Sequence, residues 1–139
     1  MEKFFFLEML AMSAAHAKRT RLRNQNLGLS DGQPKMLFIL SRQEGWLQKD
    51  LAEFCKISPA SMTTLLNNME KKDLIERRTT HLPNGKRAFA IYLTEYGREM
   101  AEKVNEATYK QEELALNGFT EEEKTAFFDY MERVTKNLS

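Results

Sequence analysis

Between Leu51 and Thr94 the residue order leaves little freedom: a short helix, a turn, a second helix, then two strands meeting near Asn84-Gly85. Ser58-Pro59 marks a helix start, because a serine hydroxyl can accept an orphan backbone N–H and proline is harmless at the first helical position. Met62, Leu65, Leu66 and Met69 follow with a period near 3.6, so this helix buries one stripe. Its other face offers Ala60, Ser61, Thr63, Thr64, Asn67 and Asn68, all short and polar or neutral. The preceding helix runs from about Leu47 to Phe54 and turns Leu51, Ala52 and Cys55 inward, with Leu47 where a capping Ser or Thr is expected. Leu74-Ile75 leads into a strand, and Asn84-Gly85 predicts a two-residue type I′ turn because both residues tolerate positive φ. The return strand alternates Phe89, Ile91 and Leu93 against Ala88, Ala90 and Tyr92, as a half-buried strand should.

The flanking segments are helical. From about Phe4 to Asn26, Phe5, Met9, Met12 and His16 form a stripe that Phe6, Leu7, Leu10 and Ala14 widen, more than a surface helix buries. A second helix is expected to start at Ser30, capped with Gln33 and carrying Pro34 in its first turn, and to close at Glu44-Gly45. Met36, Leu37, Ile39 and Leu40 supply its core face. After Thr94 a long helix reaches about Asn117, where Gly118 stops it. In it Met100, Val104, Ala107, Gln111 and Leu114 recur as the narrow seam by which helices associate. Thr120 with Glu123 forms a capping box for a last helix bearing Phe127, Met131, Val134 and Leu138 at the same spacing. These apolar faces exceed what the centre can cover, which implies a homodimer. Residues 1–30 and 95–139 are expected to form a helical dimerisation region around a central region, 31–94, in one intertwined domain.

A chain of 139 residues fits one domain or a small protomer. One cysteine excludes an internal disulfide and suits a reducing compartment. No apolar run is long enough for a bilayer, and Glu2 and Glu8 interrupt the faint outline of a leader at the start, so a cytoplasmic location is expected. The net charge of +1 hides an uneven distribution. Between Cys55 and Thr94, Lys56, Lys71, Lys72, Arg77, Arg78, Lys86 and Arg87 face only Glu70, Asp73 and Glu76, whereas acids dominate from Glu95 onward. A polyanion is drawn to the middle and repelled by the tail. The pattern is mainly α with a small β-hairpin wing: a winged helix-turn-helix plus a helical dimerisation region.

Catalysis finds no support in the residue pattern. His16 and His81 are far apart in sequence, Cys55 lies in an apolar helix, and neither a phosphate-binding glycine loop nor an HExxH pair occurs, so no catalytic residue, cofactor or metal site is assigned. Reading of double-stranded DNA fits better. Asn pairs bidentately with adenine, and Thr offers a hydroxyl or a methyl, so Thr63, Thr64, Asn67 and Asn68 suit base edges, with Ser58 and Ser61 near phosphates. Lys49, Lys71, Lys72, Arg77, Arg78, Lys86 and Arg87 are the expected phosphate contacts, and Arg87 is the candidate for an adjacent minor groove.

Four segments carry a resemblance: Leu47-Gln48-Lys49-Asp50-Leu51-Ala52-Glu53, Ile57-Ser58-Pro59-Ala60-Ser61-Met62-Thr63, Leu74-Ile75-Glu76-Arg77-Arg78 and Leu93-Thr94-Glu95-Tyr96-Gly97. Together they resemble the MarR family of bacterial transcription regulators. The resemblance implies a dimer that binds a short palindromic operator, usually represses, and is released by a small lipophilic or phenolic effector held between the dimerisation and DNA-binding regions. The implied walls of that effector site are Met9, Met12, His16, Met36 and Phe38, with Tyr92 beside them. Thr64 and Asn68 stand where the family commonly carries arginine, which shifts weight to the wing, and Gly85 replaces the Asp usual two residues before the wing Arg. The first helix lacks the cysteine of redox-sensing members. The alternative is a winged-helix protein-interaction module without specific DNA binding. A thiol switch at Cys55 is a third reading.

Overall fold

The computed structural model describes residues 1–139, which form α1 (Phe5–Leu27), α2 (Gln33–Arg42), β1 (Trp46–Leu47), α3 (Gln48–Cys55), α4 (Pro59–Lys71), β2 (Ile75–His81), β3 (Arg87–Leu93), α5 (Glu95–Ala115) and α6 (Glu121–Leu138). Two compact units divide the chain, Met1–Ala107 and Thr108–Ser139. In the first, Leu37, Leu40, Leu51, Met62, Leu66, Met69 and Ile91 are fully enclosed, with Met36, Leu74, Ile75, Leu93, Ala101 and Val104 around them. Each such side chain contributes about 1.5–3 kcal/mol on leaving water. The three strands form an antiparallel sheet in the order β1-β3-β2.

The helix ends follow from local chemistry. Ser58 Oγ accepts the Ser61 N–H at 3.0 Å and Pro59 opens α4, as the sequence predicts. At the other end of α4 the Asp73 N–H bonds to Glu70 O and the Leu74 N–H to Met69 O, a Schellman closure with Asp73 left-handed at φ 60°. Lys56 closes α3 in the same way at φ 58°. Neither residue is glycine, so each position carries a steric cost of about 1–2 kcal/mol. Thr120 and Glu123 satisfy each other's backbone N–H groups at the start of α6, completing the expected capping box.

Three local expectations are corrected. The helix after Ser30 begins at Gln33; Ser30 and Gln33 do pair, through Ser30 N–H to Gln33 Oε1 at 3.2 Å, but they close a turn ahead of the helix, which ends at Arg42. The hairpin is not a two-residue type I′ turn. His81 pairs with Arg87, the Leu82 N–H bonds to Lys86 O, and the Gly85 N–H returns to Leu82 O, so Pro83-Asn84-Gly85 is a three-residue loop. Pro83 fixes a negative φ at the first corner, and only Gly85 is left-handed, at φ 83°, which is the type I turn with a glycine bulge. Asn84 serves with its side chain, whose Oδ1 accepts the Lys86 N–H at 2.9 Å. Finally, Met100 and Val104 of the expected association seam are buried in this unit's own core, and of the seam residues Leu114 is the exposed one.

Outside the core, every side chain from Met1 to Arg19 is exposed, including Phe5, Phe6, Met9, Leu10 and Met12. In the second unit Phe119 and Phe127 meet edge to face at 6.0 Å, while Phe128, Met131 and Leu138 stand in water.

The turn after α4 meets the first turn of α5 at close range. Thr94 Oγ1 donates to Asp73 O at 2.6 Å and accepts the Gly97 N–H at 2.9 Å, and a Cβ at Gly97 would collide with the Leu74 carbonyl oxygen. Gly97→Ala is therefore expected to destabilise the fold by about 3 kcal/mol, because backbone must move, and a lowered urea midpoint checks it. Burial raises the Cys55 thiol above its ordinary pKa, with Lys35 pulling it partly back. A raised pKa means less thiolate at neutral pH. Iodoacetamide should thus modify Cys55 more slowly than it modifies glutathione, with the rate climbing only at more alkaline pH. Faster reaction at neutral pH would contradict the assignment.

Candidate nucleic-acid interface

With Met62, Leu66 and Met69 sealed, α4 presents two polar stripes to water. Thr64, Asn68 and Lys71 lie on one, at four- and three-residue spacing, and Thr63, Asn67 and Glu70 lie on the other. All six are exposed, as are Ser58 and Ser61. The hydroxyl of Ser58 is engaged locally, donating to Ser61 Oγ at 2.9 Å while it caps the helix.

The second stripe borders a cleft of about 680 Å³ between α4 and the wing, lined by Leu47, Gln48, Lys49, Leu82, Ala88 and Phe89 together with Thr63, Asn67, Glu70 and Arg77. Cross-strand pairing places Arg77, Thr79, Phe89 and Arg87 on one face of the hairpin. Toward the helices this face is core, through Ile75, Ile91 and Leu93; toward the tip it leaves the core, and Phe89 becomes 49% exposed. The alternation expected of β3 holds, but its inward direction at Phe89 is open cleft. Ala90, on the other face, is covered where β1 pairs with β3.

The expected cations divide into two groups. Lys49, Lys71, Lys86 and Arg87 are exposed. Arg78 is exposed but restrained: its guanidinium stacks 3.8 Å over the Tyr92 ring and pairs with Glu76 at 2.7 Å. Arg77 departs from the expectation. Its side chain is only 12% exposed, donating from Nε to Gln48 Oε1 at 3.3 Å and from Nη1 to Glu70 Oε1 at 3.2 Å, so it is committed within the chain. Thr63 is partly committed as well: its hydroxyl donates to Pro59 O at 3.0 Å and accepts from Gln48 Nε2 at 3.0 Å. Lys72, also among the expected phosphate contacts, instead donates to the buried Gln33 at 3.0 Å.

Gln48 and Phe89 were not identified from sequence as interface residues. Nothing in the spacing marks a glutamine on the first turn of α3 as the link between α4 and the wing. Phe89 was hidden by a correct alternation whose core stops at Ile91.

Of the residues implied for an effector, Met9, Met12 and His16 are exposed on α1, Met36 is sealed in the core, and Phe38 is half-buried with the Arg42 guanidinium 5.2 Å over its ring. Tyr92 is occupied by Arg78. A single protomer therefore supplies an exposed row on α1 and an enclosed Met36 rather than a common wall.

Comparison with known proteins places this geometry. The MarR family profile matches residues 29–88, from the residues just before α2 to the start of β3. The Bacillus subtilis HTH-type transcriptional regulator YybA is 28% identical over 116 residues, spanning 82% of this chain and 75% of that protein. A MarR family transcriptional regulator from Listeria monocytogenes, solved in complex with a 26mer DNA, is 25% identical with a TM-score of 0.84, over 99% of this chain and 90% of that one. The S. aureus MepR–DNA complex shares the fold at a TM-score of 0.85 and 20% identity, over 98% of this chain and 99% of that one. On these matches and the winged helix-turn-helix described above, residues 29–88 are a MarR family domain, and the chain is similar to HTH-type transcription regulators over most of its length.

Proposed function

We propose that this regulator binds a palindromic DNA operator as a homodimer, represses from it in the cytoplasm, and is released by a small lipophilic or phenolic effector. The observation that carries the DNA reading is the unburied side of α4, where Thr64, Asn67, Asn68 and Lys71 stand in water beside a hairpin tipped by Lys86 and Arg87. Such a helix fits a major groove by its N-terminal half and exposed stripe, while the hairpin reaches along the backbone. Asn67 and Asn68 are the candidates for adenine edges, Thr64 and the remaining capacity of Thr63 for thymine or a hydroxyl contact, and Ser61, Lys49 and Lys71 for phosphates.

Dimerisation is supported by surface no single chain covers. Phe5, Phe6, Met9, Leu10 and Met12 on α1 of the first unit, and separately Phe128, Met131 and Leu138 on α6 of the second, are large apolar side chains left in water, and such exposed apolar faces mark interaction sites. Residues 1–30 and 95–139 remain the proposed source of the interface, around a DNA-binding region at 31–94. The effector reading follows from the same surface. Met9, Met12 and His16, with Phe38, would acquire walls only when a second copy covers α1. A bound molecule there shifts DNA binding only by preferring the arrangement in which the two α4 helices are wrongly spaced.

Size-exclusion chromatography with light scattering should give twice the chain mass, and Leu10→Glu on α1 should shift the equilibrium to the monomer. A monomeric wild-type chain would remove the dimer. Duplexes recovered from a genomic fragment pool should be palindromic, with affinity falling steeply as salt rises. Arg87→Ala should reduce the slope of log affinity against log salt by about 0.9, the share of one phosphate contact. Asn67→Ala should instead relax preference at one base pair, by about 1–3 kcal/mol. An unchanged slope for the first variant, or a uniform loss across sequences for the second, would contradict those roles.

A further inference from the structure

Arg77 occupies an unusual position for a cation on a DNA-facing element. An arginine only 12% exposed has lost most of its hydration, and it bonds instead to Gln48 from one nitrogen and to Glu70 from another. Gln48 in turn donates to Thr63 at 3.0 Å. Three elements are thereby tied at one point: α3 through Gln48, α4 through Thr63 and Glu70, and the wing through Arg77. Glu70 is the acid among the residues lining the helix-wing cleft, and it shares its stripe of α4 with Thr63 and Asn67. A nucleic-acid strand passing between recognition helix and wing would run its phosphates beside that carboxylate, and like charges in a cleft walled by Leu47, Leu82 and Phe89 repel more strongly than in open water.

We propose that Arg77 is a positioning residue rather than a phosphate contact: it clamps the wing to α3 and α4 through Gln48, and it neutralises Glu70 so that a DNA strand can occupy the cleft. The masking half of this proposal rests on the DNA-binding reading above; the clamping half does not. A consequence for specificity follows. The clamp holds the Thr63 hydroxyl, so base discrimination passes to Asn67 and to Thr64 and Asn68 on the free stripe.

The test has one arm without DNA and one with it. In the free protein, Arg77→Met should speed amide hydrogen exchange across Ile75–Leu93 while helical circular dichroism is kept, and Arg77→Lys should do so less. Unchanged wing exchange in Arg77→Met would overturn the clamp whatever the DNA result. In fluorescence anisotropy with a labelled duplex of about 30 base pairs at low salt, where sequence-independent binding dominates, Arg77→Met should bind about tenfold more weakly, as expected for one unmasked charge. Glu70→Gln added to Arg77→Met should recover most of that loss, while Glu70→Gln alone, which leaves Arg77 unopposed in the cleft, should bind no more weakly than wild type. A loss that Glu70→Gln does not rescue would overturn the masking. Wild-type protein that bound no duplex would strike out masking and the DNA-binding reading together, and is distinguished from failure of the masking alone, in which wild type binds and rescue is absent.

Discussion

The burial of Met62, Leu66 and Met69 governs what this molecule can present to a partner. These side chains are wholly enclosed, and together they fix the rotation of α4 about its own axis. A helix free to roll would offer a blurred surface; one anchored along a 3.6-residue stripe offers the same polar residues every time. Ser58 and Asp73 then set where the helix starts and stops. The reading surface is thus a by-product of hydrophobic packing on the far side, and its side chains can change with little cost to the fold.

The second constraint lies at the end of that helix. Thr94 caps α5 while donating to Asp73, and Gly97 lets the first turn of α5 lie against the Leu74 carbonyl. The recognition helix and the beginning of α5 are therefore joined through backbone rather than through flexible side chains. A displacement at the start of α5 reaches α4 directly, which is the mechanical link an effector needs if it is to alter helix spacing. The wing is restrained separately, by Arg77 and Gln48 on its inner face and by Arg78 on Tyr92 on its outer face.

The order and type of the main elements were legible because each has a local cause: periodic burial in α4, the Ser58-Pro59 start, the Thr120–Glu123 box, and alternation in β3. The MarR resemblance followed from four such segments. What escaped was set by several residues at once. Pro83 decides the hairpin turn that Asn84-Gly85 alone suggested otherwise. Ser30 and Gln33 make the expected pair, yet Gly32 intervenes at φ 84°, so the helix waits until Gln33. The two residues of β1 are too few for a pattern. In the interface, the exposed face of α4 and the tip cations Lys86 and Arg87 were legible from spacing. The inward turn of Arg77 was not, because composition cannot tell a cation that faces phosphate from one that faces a glutamate on the next element.

The proposed homodimer would set two copies of α4 one helical turn apart on duplex DNA. Spin labels on Lys72→Cys, at the exposed C-terminal end of α4 and outside the residues proposed to touch DNA, in a Cys55→Ser background, read by pulsed dipolar spectroscopy on protein bound to a recovered operator, measure that spacing directly. The account predicts one narrow distance, within several Å of the turn of about 34–36 Å that separates successive major grooves. A signal without dipolar coupling, or a distance unrelated to the helical repeat, would contradict it.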